Sequence, residues 1–477
     1  MKIENIDVTE TLETAKSLLN KESNISPALK SIIEILILLV TIFIQRKNTN
    51  SKNSSKSPSD DKNRERGSKK SNSNKKPGGQ KGHAGNKLDM VKNPDKIEEL
   101  RIDRRTIPRG KYKIVGFESR QVFNIKVTKT VTEYRAEILE DQNGNRYTAQ
   151  FPSHVKVQAQ YGANVKAHAV YMSQFQLIPY KRIEDYFADQ MGLPLSVGSI
   201  FNFNKEAYRL LEQFAIIAKE QLILSKLINA DETGINVNKK LIWLHCASNG
   251  LWTYFYPHKK RGTEAMNDID ILPHFTGVLC HDHWKPYYKY KECTHALCNA
   301  HHKRELIWSN EEDNQQWAKL MLELLDEINE KTQDAGGALD QATANGYRQR
   351  YQKILKNGEV ECPLPERKEG QKGRLKKSKS RNLLERLQKY EDDTLRFMEN
   401  DFVPFTNNLG ENDLRMTKVQ QKISGCFRSM NGAYIFCLVR SYIITCRKHN
   451  VRAAEALRLL FEGKMPDFIN DLMTTAE

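Results

Sequence analysis

Lys226-Leu-Ile-Asn-Ala-Asp231 and Gly277-Val-Leu-Cys-His-Asp282 are the stretches on which the fold of this sequence turns. Each is a short apolar run with an aspartate at its end, which predicts a buried strand delivering one carboxylate. Ends of strands in open α/β sheets form the crevice where ligands bind. Between them, Leu241-Ile-Trp-Leu-His-Cys-Ala-Ser248 and Leu251-Trp-Thr-Tyr-Phe-Tyr256 read as further strands, so a strand-rich block covers about 227–300. A third acid, Glu411, lies in Asn407-Asn-Leu-Gly-Glu-Asn-Asp-Leu-Arg415, the opening of a helix with Asn407 or Asn408 as its cap. Mg²⁺ favours one or two carboxylates together with phosphate oxygens. Two such ions serve an in-line phosphoryl displacement. Asp231, Asp282 and Glu411 are therefore candidate metal ligands, although in a chain with 59 acids some fall at strand ends by chance.

Outward from this block the chain is multi-domain α/β. Its 477 residues exceed one ordinary domain, and 39% hydrophobic residues suffice for real cores. Residues 1–45 hold an apolar run, Ile32 to Ile44, with Leu29, Ile33, Leu36, Val40 and Phe43 at coiled-coil seam spacing. At 13 residues with Glu34 inside, the run predicts a self-association or docking helix rather than a membrane anchor. Residues 46–87 form a flexible basic linker with thirteen basic residues against three acidic ones. More than half of the formal net charge of +16 lies there, which points to a polyanionic partner such as DNA. Lys75, Lys76 and Lys81 are its candidate phosphate contacts.

Residues 88–160 predict a small β-rich module. Gln121-Val-Phe-Asn-Ile-Lys-Val127 and Val131-Thr-Glu-Tyr-Arg-Ala-Glu-Ile-Leu139 alternate apolar and polar, and Asp141-Gln-Asn-Gly-Asn145 offers a hairpin turn. From 161 to 224 the period becomes helical. A helix over 182–190, a break at Gly192-Leu-Pro and a second helix capped by Ser196 have the outline of a helix-turn-helix DNA reader, an outline many helical hairpins share. Residues 225–465 hold the strand-rich block, then a polar helical stretch at about 300–400 and further helices. None of the eight cysteines forms a CxxC pair, and the N-terminus has no basic n-region or cleavage site, which implies a reducing intracellular setting.

Several blocks, in order, resemble the insertion-sequence-66 transposase family. They are Lys76-Pro-Gly-Gly-Gln-Lys-Gly-His83, Ala230-Asp-Glu-Thr-Gly234, Val278-Leu-Cys-His-Asp-His-Trp-Lys-Pro-Tyr287, His295-Ala-Leu-Cys-Asn-Ala-His-His-Lys-Arg-Glu-Leu306, Val403-Pro-Phe-Thr-Asn-Asn-Leu-Gly-Glu-Asn-Asp-Leu-Arg-Met416 and Lys422-Ile-Ser-Gly-Cys-Phe-Arg-Ser429. The resemblance implies a DDE-type DNA transposase with a ribonuclease-H-like core and a helical insertion between its second and third acids. By motif its triad is Asp231, Asp282 and Glu411, its cofactor Mg²⁺ or Mn²⁺, with two ions expected. The partners implied are element ends and target DNA, a second copy of the chain and possible accessory transposition proteins, in the cytoplasm at the nucleoid, with no membrane. Many relatives carry a cysteine-based zinc module after the basic linker, whereas residues 101–160 here contain no cysteine.

Neighbouring residues divide by chemistry. Glu232 follows Asp231 on the opposite strand face and reads as supporting. Arg415, one turn after Glu411, either contacts a DNA phosphate or pairs with Glu411. Lys418 and Lys422 continue that basic face as candidate DNA contacts. Cys298-x-x-His301 resembles a signature that follows the second aspartate in several transposase families. Its tight spacing and the apolar strand before Cys298 predict packing or support of the active site, with zinc not expected. Rival readings are a catalytically inactive DNA-binding relative, a nuclease that never joins strands, and a membrane-associated basic protein.

Overall fold

The computed structural model describes residues 2–3, 6–21, 25–50, 52–54, 61, 88–365 and 375–474. Helix α1 (Val8–Lys21) and helix α2 (Pro27–Asn48) open the chain. The apolar run is the middle of a longer helix: α2 has 22 residues, long and apolar enough to cross a membrane. Its length therefore does not argue against a span as the 13-residue run did, but one such helix is weak evidence of one. Leu29, Leu36, Val40 and Phe43 on the expected seam are exposed.

The expected β-rich module is replaced by a mostly irregular stretch. Within 88–160 the strands are one short hairpin, Ile138–Glu140 with Arg146–Thr148. It forms where turn chemistry is strongest: Asp141 accepts from the amides of Asn143 and Asn145, both at 2.9 Å, and Gly144 takes φ 80°. Gln121–Val127 stays irregular, with Val122 and Ile125 exposed. Alternation supplies a face for burial, and among the described residues none covers Val122 or Ile125.

Four helices follow, α3 (Ala163–Val170), α4 (Tyr180–Met191), α5 (Val197–Leu210) and α6 (Glu212–Ile223). Gly192 ends α4 in the left-handed conformation, at φ 57°, and the Ser196 hydroxyl accepts from the Ser199 amide at 3.1 Å to start α5. The central sheet is built from β1 (Leu227–Val237), β2 (Lys240–Ser248), β3 (Thr253–His258), β4 (Val278–His281) and β5 (Thr294–Leu297), in the order β3-β2-β1-β4-β5. The first three strands form an antiparallel meander. A two-residue turn, Asn238-Lys239, with both φ positive, joins β1 to β2. After helix α7 (Thr263–Ile269) the chain crosses to the other side of β1, where β4 and β5 run parallel to it.

Between β5 and the helix bearing Glu411 lie α8 (Asn299–Asp313), α9 (Gln316–Asp334), α10 (Gln341–Glu361), α11 (Lys379–Lys389) and α12 (Glu391–Leu395). They share a core around Trp317, Met321, Tyr351 and Leu384 that reaches the sheet at Cys280 and Ala296. Helix α13 (Asn408–Ser424) then returns to the sheet, followed by α14 (Met430–Lys448), α15 (Ala453–Phe461) and α16 (Asp467–Thr474). A second core joins α3–α6 with α14, α15 and the sheet through Phe214, Trp252, Leu279 and Tyr442. A third, around Ile235, Leu244, Leu414 and Phe436, fixes α13 and α14 against β1 and β2.

Candidate active site

The register of β1 and β4 sets the first two acids side by side. Leu227 to Asn229 pair in parallel with Val278 to Cys280; Asp231 follows two residues after the last pair on β1, and Asp282 two residues after it, just past the end of β4. Asp231 is not the last residue of its strand, as the sequence suggested: β1 continues to Val237 along β2. What ends near Asp231 is the parallel half of the sheet, because β4 stops at His281. Asp282 therefore stands just beyond the end of a parallel strand, the kind of position where open α/β sheets bind ligands.

Helix α13 brings the third acid. Asn407 occupies its N-cap but makes no cap bond; its side chain instead ties the helix to β1. The amide Nδ2 donates to the Ala230 carbonyl at 2.8 Å, and Oδ1 accepts from Asn229 Nδ2 at 2.8 Å. Gly410 permits the close approach: a Cβ there would sit 3.5 Å from that of Asp231 and 3.3 Å from Asn407 Oδ1. Glu411 stands in this first turn, where the positive end of the helix favours an anion.

All three carboxyl groups are held above the ordinary carboxylate range. For Asp231 the shift is large, from burial first and then from Glu232, with Asp282 and Glu411 adding to it. Burial also raises Asp282, opposed by the Trp284 amide, Arg261 and Arg386. Burial raises Glu411, with Arg304 opposing and Asp282 reinforcing. Half-buried carboxyls that raise one another form an all-oxygen donor set of the kind a hard divalent cation would neutralise. Each aspartate has one oxygen engaged locally: Asp231 Oδ1 accepts from the Glu232 amide at 2.9 Å, and Asp282 Oδ1 from the Trp284 amide at 3.0 Å.

Glu232 is held by partners of its own. Arg261 donates to it at 2.9 and 2.7 Å, and the Tyr287 hydroxyl at 2.5 Å. The Arg261 guanidinium lies 4.6 Å from the Trp243 ring and 4.2 Å from that of Trp284. This group braces the turn after Asp282, and no local signal marks Arg261 as part of it. Behind Asp282, buried His281 bonds the Asp282 carbonyl through Nδ1 and His295 through Nε2 at 3.0 Å. Burial pushes His281 down to about 3, so the ring is a neutral buttress.

Helix α8 closes the other side. Cys298 is its N-cap, buried, with Sγ accepting from the Asn407 amide at 3.1 Å. His301 Nδ1 lies 3.9 Å from Glu411 Oε1, but burial pushes the imidazole down to about 4, so this is not an ion pair at neutral pH. Among the described residues the three metal-ligand donors gathered within 4.8 Å of one another are those of Cys298, His301 and Glu411, and not those of the three acids.

A family model described as Transposase IS66 family matches residues 158–435. The chain belongs to the IS66 transposase family. A transposase role and a DNA partner come with that membership. A second model, described as a family of unknown function (DUF6444), matches residues 8–89. No curated protein matches the chain. In this IS66-family transposase the matched region takes in the helices α3–α6, the whole sheet, the α8–α12 block and α13, with all three acids.

The basic residues expected to meet DNA are spread differently. Arg415 is exposed and makes no ion pair with Glu411. Lys418 donates to the Gly234 carbonyl at 2.7 Å, while Lys422 is exposed on the last turn of α13. Lys75, Lys76 and Lys81 lie outside the described residues, as does most of the 46–87 linker.

Proposed function

We propose that this chain is a DDE-type transposase whose Asp231, Asp282 and Glu411 bind two Mg²⁺ or Mn²⁺ ions in a ribonuclease-H-like catalytic core. The observation that carries the reading is the convergence of three half-buried acids from a strand, the turn after its parallel neighbour and a helix more than a hundred residues further on, near enough that Asp282 and Glu411 both raise the Asp231 carboxyl. An antiparallel meander extended by two parallel strands, with a helical block before the last acid, suits that core. When bound, the ions supply Lewis-acid activation of the attacking oxygen and neutralise charge on the leaving one.

The chain's own residues then position and exclude. Asn407 holds Glu411 at the depth of Asp231, and the Glu232–Arg261–Tyr287 group and His281 hold the turn that carries Asp282. Water cuts DNA at the element end, and the freed 3′ hydroxyl attacks target DNA in a second displacement, with no covalent enzyme intermediate. Residues 161–224, with the α4–Gly192–α5 hairpin, serve as a DNA-binding region, and the 46–87 linker with Lys75, Lys76 and Lys81 as a phosphate-seeking arm. Arg415, Lys418 and Lys422 extend that contact along α13. The catalytic domain spans 225–465. Two element ends must meet, so the active form is a multimer, with the exposed apolar surface of α2 a contact between copies. The site of action is the cytoplasmic nucleoid.

Asp282→Asn provides the test. It should abolish Mg²⁺-dependent nicking and joining of an end-containing oligonucleotide and leave end binding intact. Retained cleavage would sink the assignment, and a wild-type chain that binds ends without nicking them would mark it as an inactive relative.

A further inference from the structure

We propose that Cys298, His301 and Glu411 form a separate site for a borderline-soft divalent ion such as zinc, sharing one carboxylate with the triad. Two helix starts build it. Cys298 caps α8 and His301 lies in its first turn, while Glu411 lies in the first turn of α13. The Asn299 amide donates to the Phe405 carbonyl at 3.1 Å, and the Asn407 amide to Cys298 Sγ at 3.1 Å, which fixes the two starts against each other. Cys298 Sγ is 4.0 Å from Glu411 Oε1 and His301 Nδ1 is 3.9 Å from it, and all three donors lie within 4.8 Å of one another.

A tetrahedral zinc ion with ordinary bond lengths needs donor separations of roughly 3.3–3.6 Å, so small side-chain rotations close the set. A second observation points the same way. His301 Nδ1 is buried and has no hydrogen-bond partner, although its neighbour His302 bonds Asn299 at 3.1 Å. An orphaned imidazole nitrogen facing a thiol and a carboxylate is costly unless something occupies the space between them. Sulfur, nitrogen and oxygen together select a borderline ion over Mg²⁺, which takes oxygen ligands. The Asn407 amide is the outer partner that orients the sulfur. On binding, a metal–sulfur bond forms and the Cys298 proton leaves to solvent. Three protein donors leave a fourth position for water.

This departs from the expectation that Cys298 and His301 are packing residues. It also has a consequence that rests on the proposed function: an ion held by α8 draws Glu411 away from Asp231 and Asp282, so zinc opposes Mg²⁺ at the catalytic centre.

The test uses the full chain, reduced, with cobalt(II) as the spectroscopic probe. One equivalent should give the near-ultraviolet thiolate-to-cobalt charge-transfer band, reversed by zinc. Cys298→Ser should remove the band, while His301→Ala and, independently, Glu411→Gln should weaken cobalt binding at least tenfold. No band at stoichiometric cobalt, or a band that persists in Cys298→Ser, would overturn the proposal. Asp231→Asn separates the two readings, because it should leave the band in place. If its cleavage activity also survives, the triad assignment fails and the cobalt site stands.

Discussion

Replacing Asn407 by alanine should separate the folding of this protein from the alignment of its proposed catalytic acids. The side chain is buried and makes two hydrogen bonds, to the Ala230 carbonyl and from Asn229, both at 2.8 Å. Asn229 is itself buried, so truncation leaves its amide donor without that partner. An unsatisfied buried polar group costs about 1–3 kcal/mol, and the cavity adds to this, so a loss of roughly 3 kcal/mol is expected. A native domain has about 5–15 kcal/mol in hand, so the variant should fold with a lowered melting temperature. Its catalytic loss should be larger than that implies. Without the tie to β1, the first turn of α13 can shift, and a displacement of about 1 Å at a reacting centre can cost on the order of 100-fold in rate. The assays are thermal unfolding by circular dichroism and single-turnover nicking of an end oligonucleotide at saturating Mg²⁺, below the variant's melting temperature. A variant that melts early yet nicks within threefold of wild type would refute the argument that Asn407 positions Glu411. The amide of residue 407 survives the substitution, so its bond to Cys298 does not confuse the result.

Three further outcomes follow from the same geometry. The triad carboxyls have raised pKa values in the fold, so their contribution to stability is fully present below the unfolded carboxylate range and is lost as pH rises through the raised values. Mg²⁺ should therefore raise the melting temperature more at pH 8 than at pH 5, and Asp231→Asn should stabilise the metal-free protein at pH 8; equal Mg²⁺ shifts at the two pH values would contradict this. Arg261→Ala leaves Glu232, whose side chain is 2% exposed, with Tyr287 as its remaining side-chain partner. Because Arg261 is 38% exposed, the expected cost is discounted to about 2 kcal/mol, and Glu232→Gln in the same background should recover part of it in denaturant melts. Gly358→Ala in α10 would ordinarily gain up to about 1 kcal/mol in helix propensity, but its Cβ would meet Leu384 Cδ1 at 2.7 Å and Trp317 Cγ at 3.0 Å. Overpacking of about 1–3 kcal/mol should win, and a higher melting temperature would show that the α9–α11 core yields.

Local patterns carried much of this architecture. Apolar runs before Asp231 and Asp282 specified β1 and β4, Ser196 and Gly192 marked a helix start and a helix end, and Asp141-Gln-Asn-Gly-Asn145 specified the one hairpin in its region. These are short-range effects, in which a residue's shape and hydrogen bonds act within a few positions of the chain. The alternating segment at Gln121–Val127 failed as a strand for the complementary reason: pattern prepares a face, and only a packed neighbour makes the strand worth forming. Likewise the sequence placed Glu411 at a helix opening and Cys298 at the end of an apolar strand, but could not reveal that the helix starting at Cys298 faces the one that bears Glu411. The salt bridge of Glu232 with Arg261, the tie from Asn407 to β1 and the parallel pairing of β1 with β4 each join residues far apart in the chain. Such contacts are chosen by how whole helices and strands pack against a common core, and no stretch of sequence carries that information alone. By itself, then, the sequence determined the elements whose signals are local, the apolar strands, the caps and the tight turns; the tertiary packing decided which patterned segments become strands and which distant residues become neighbours.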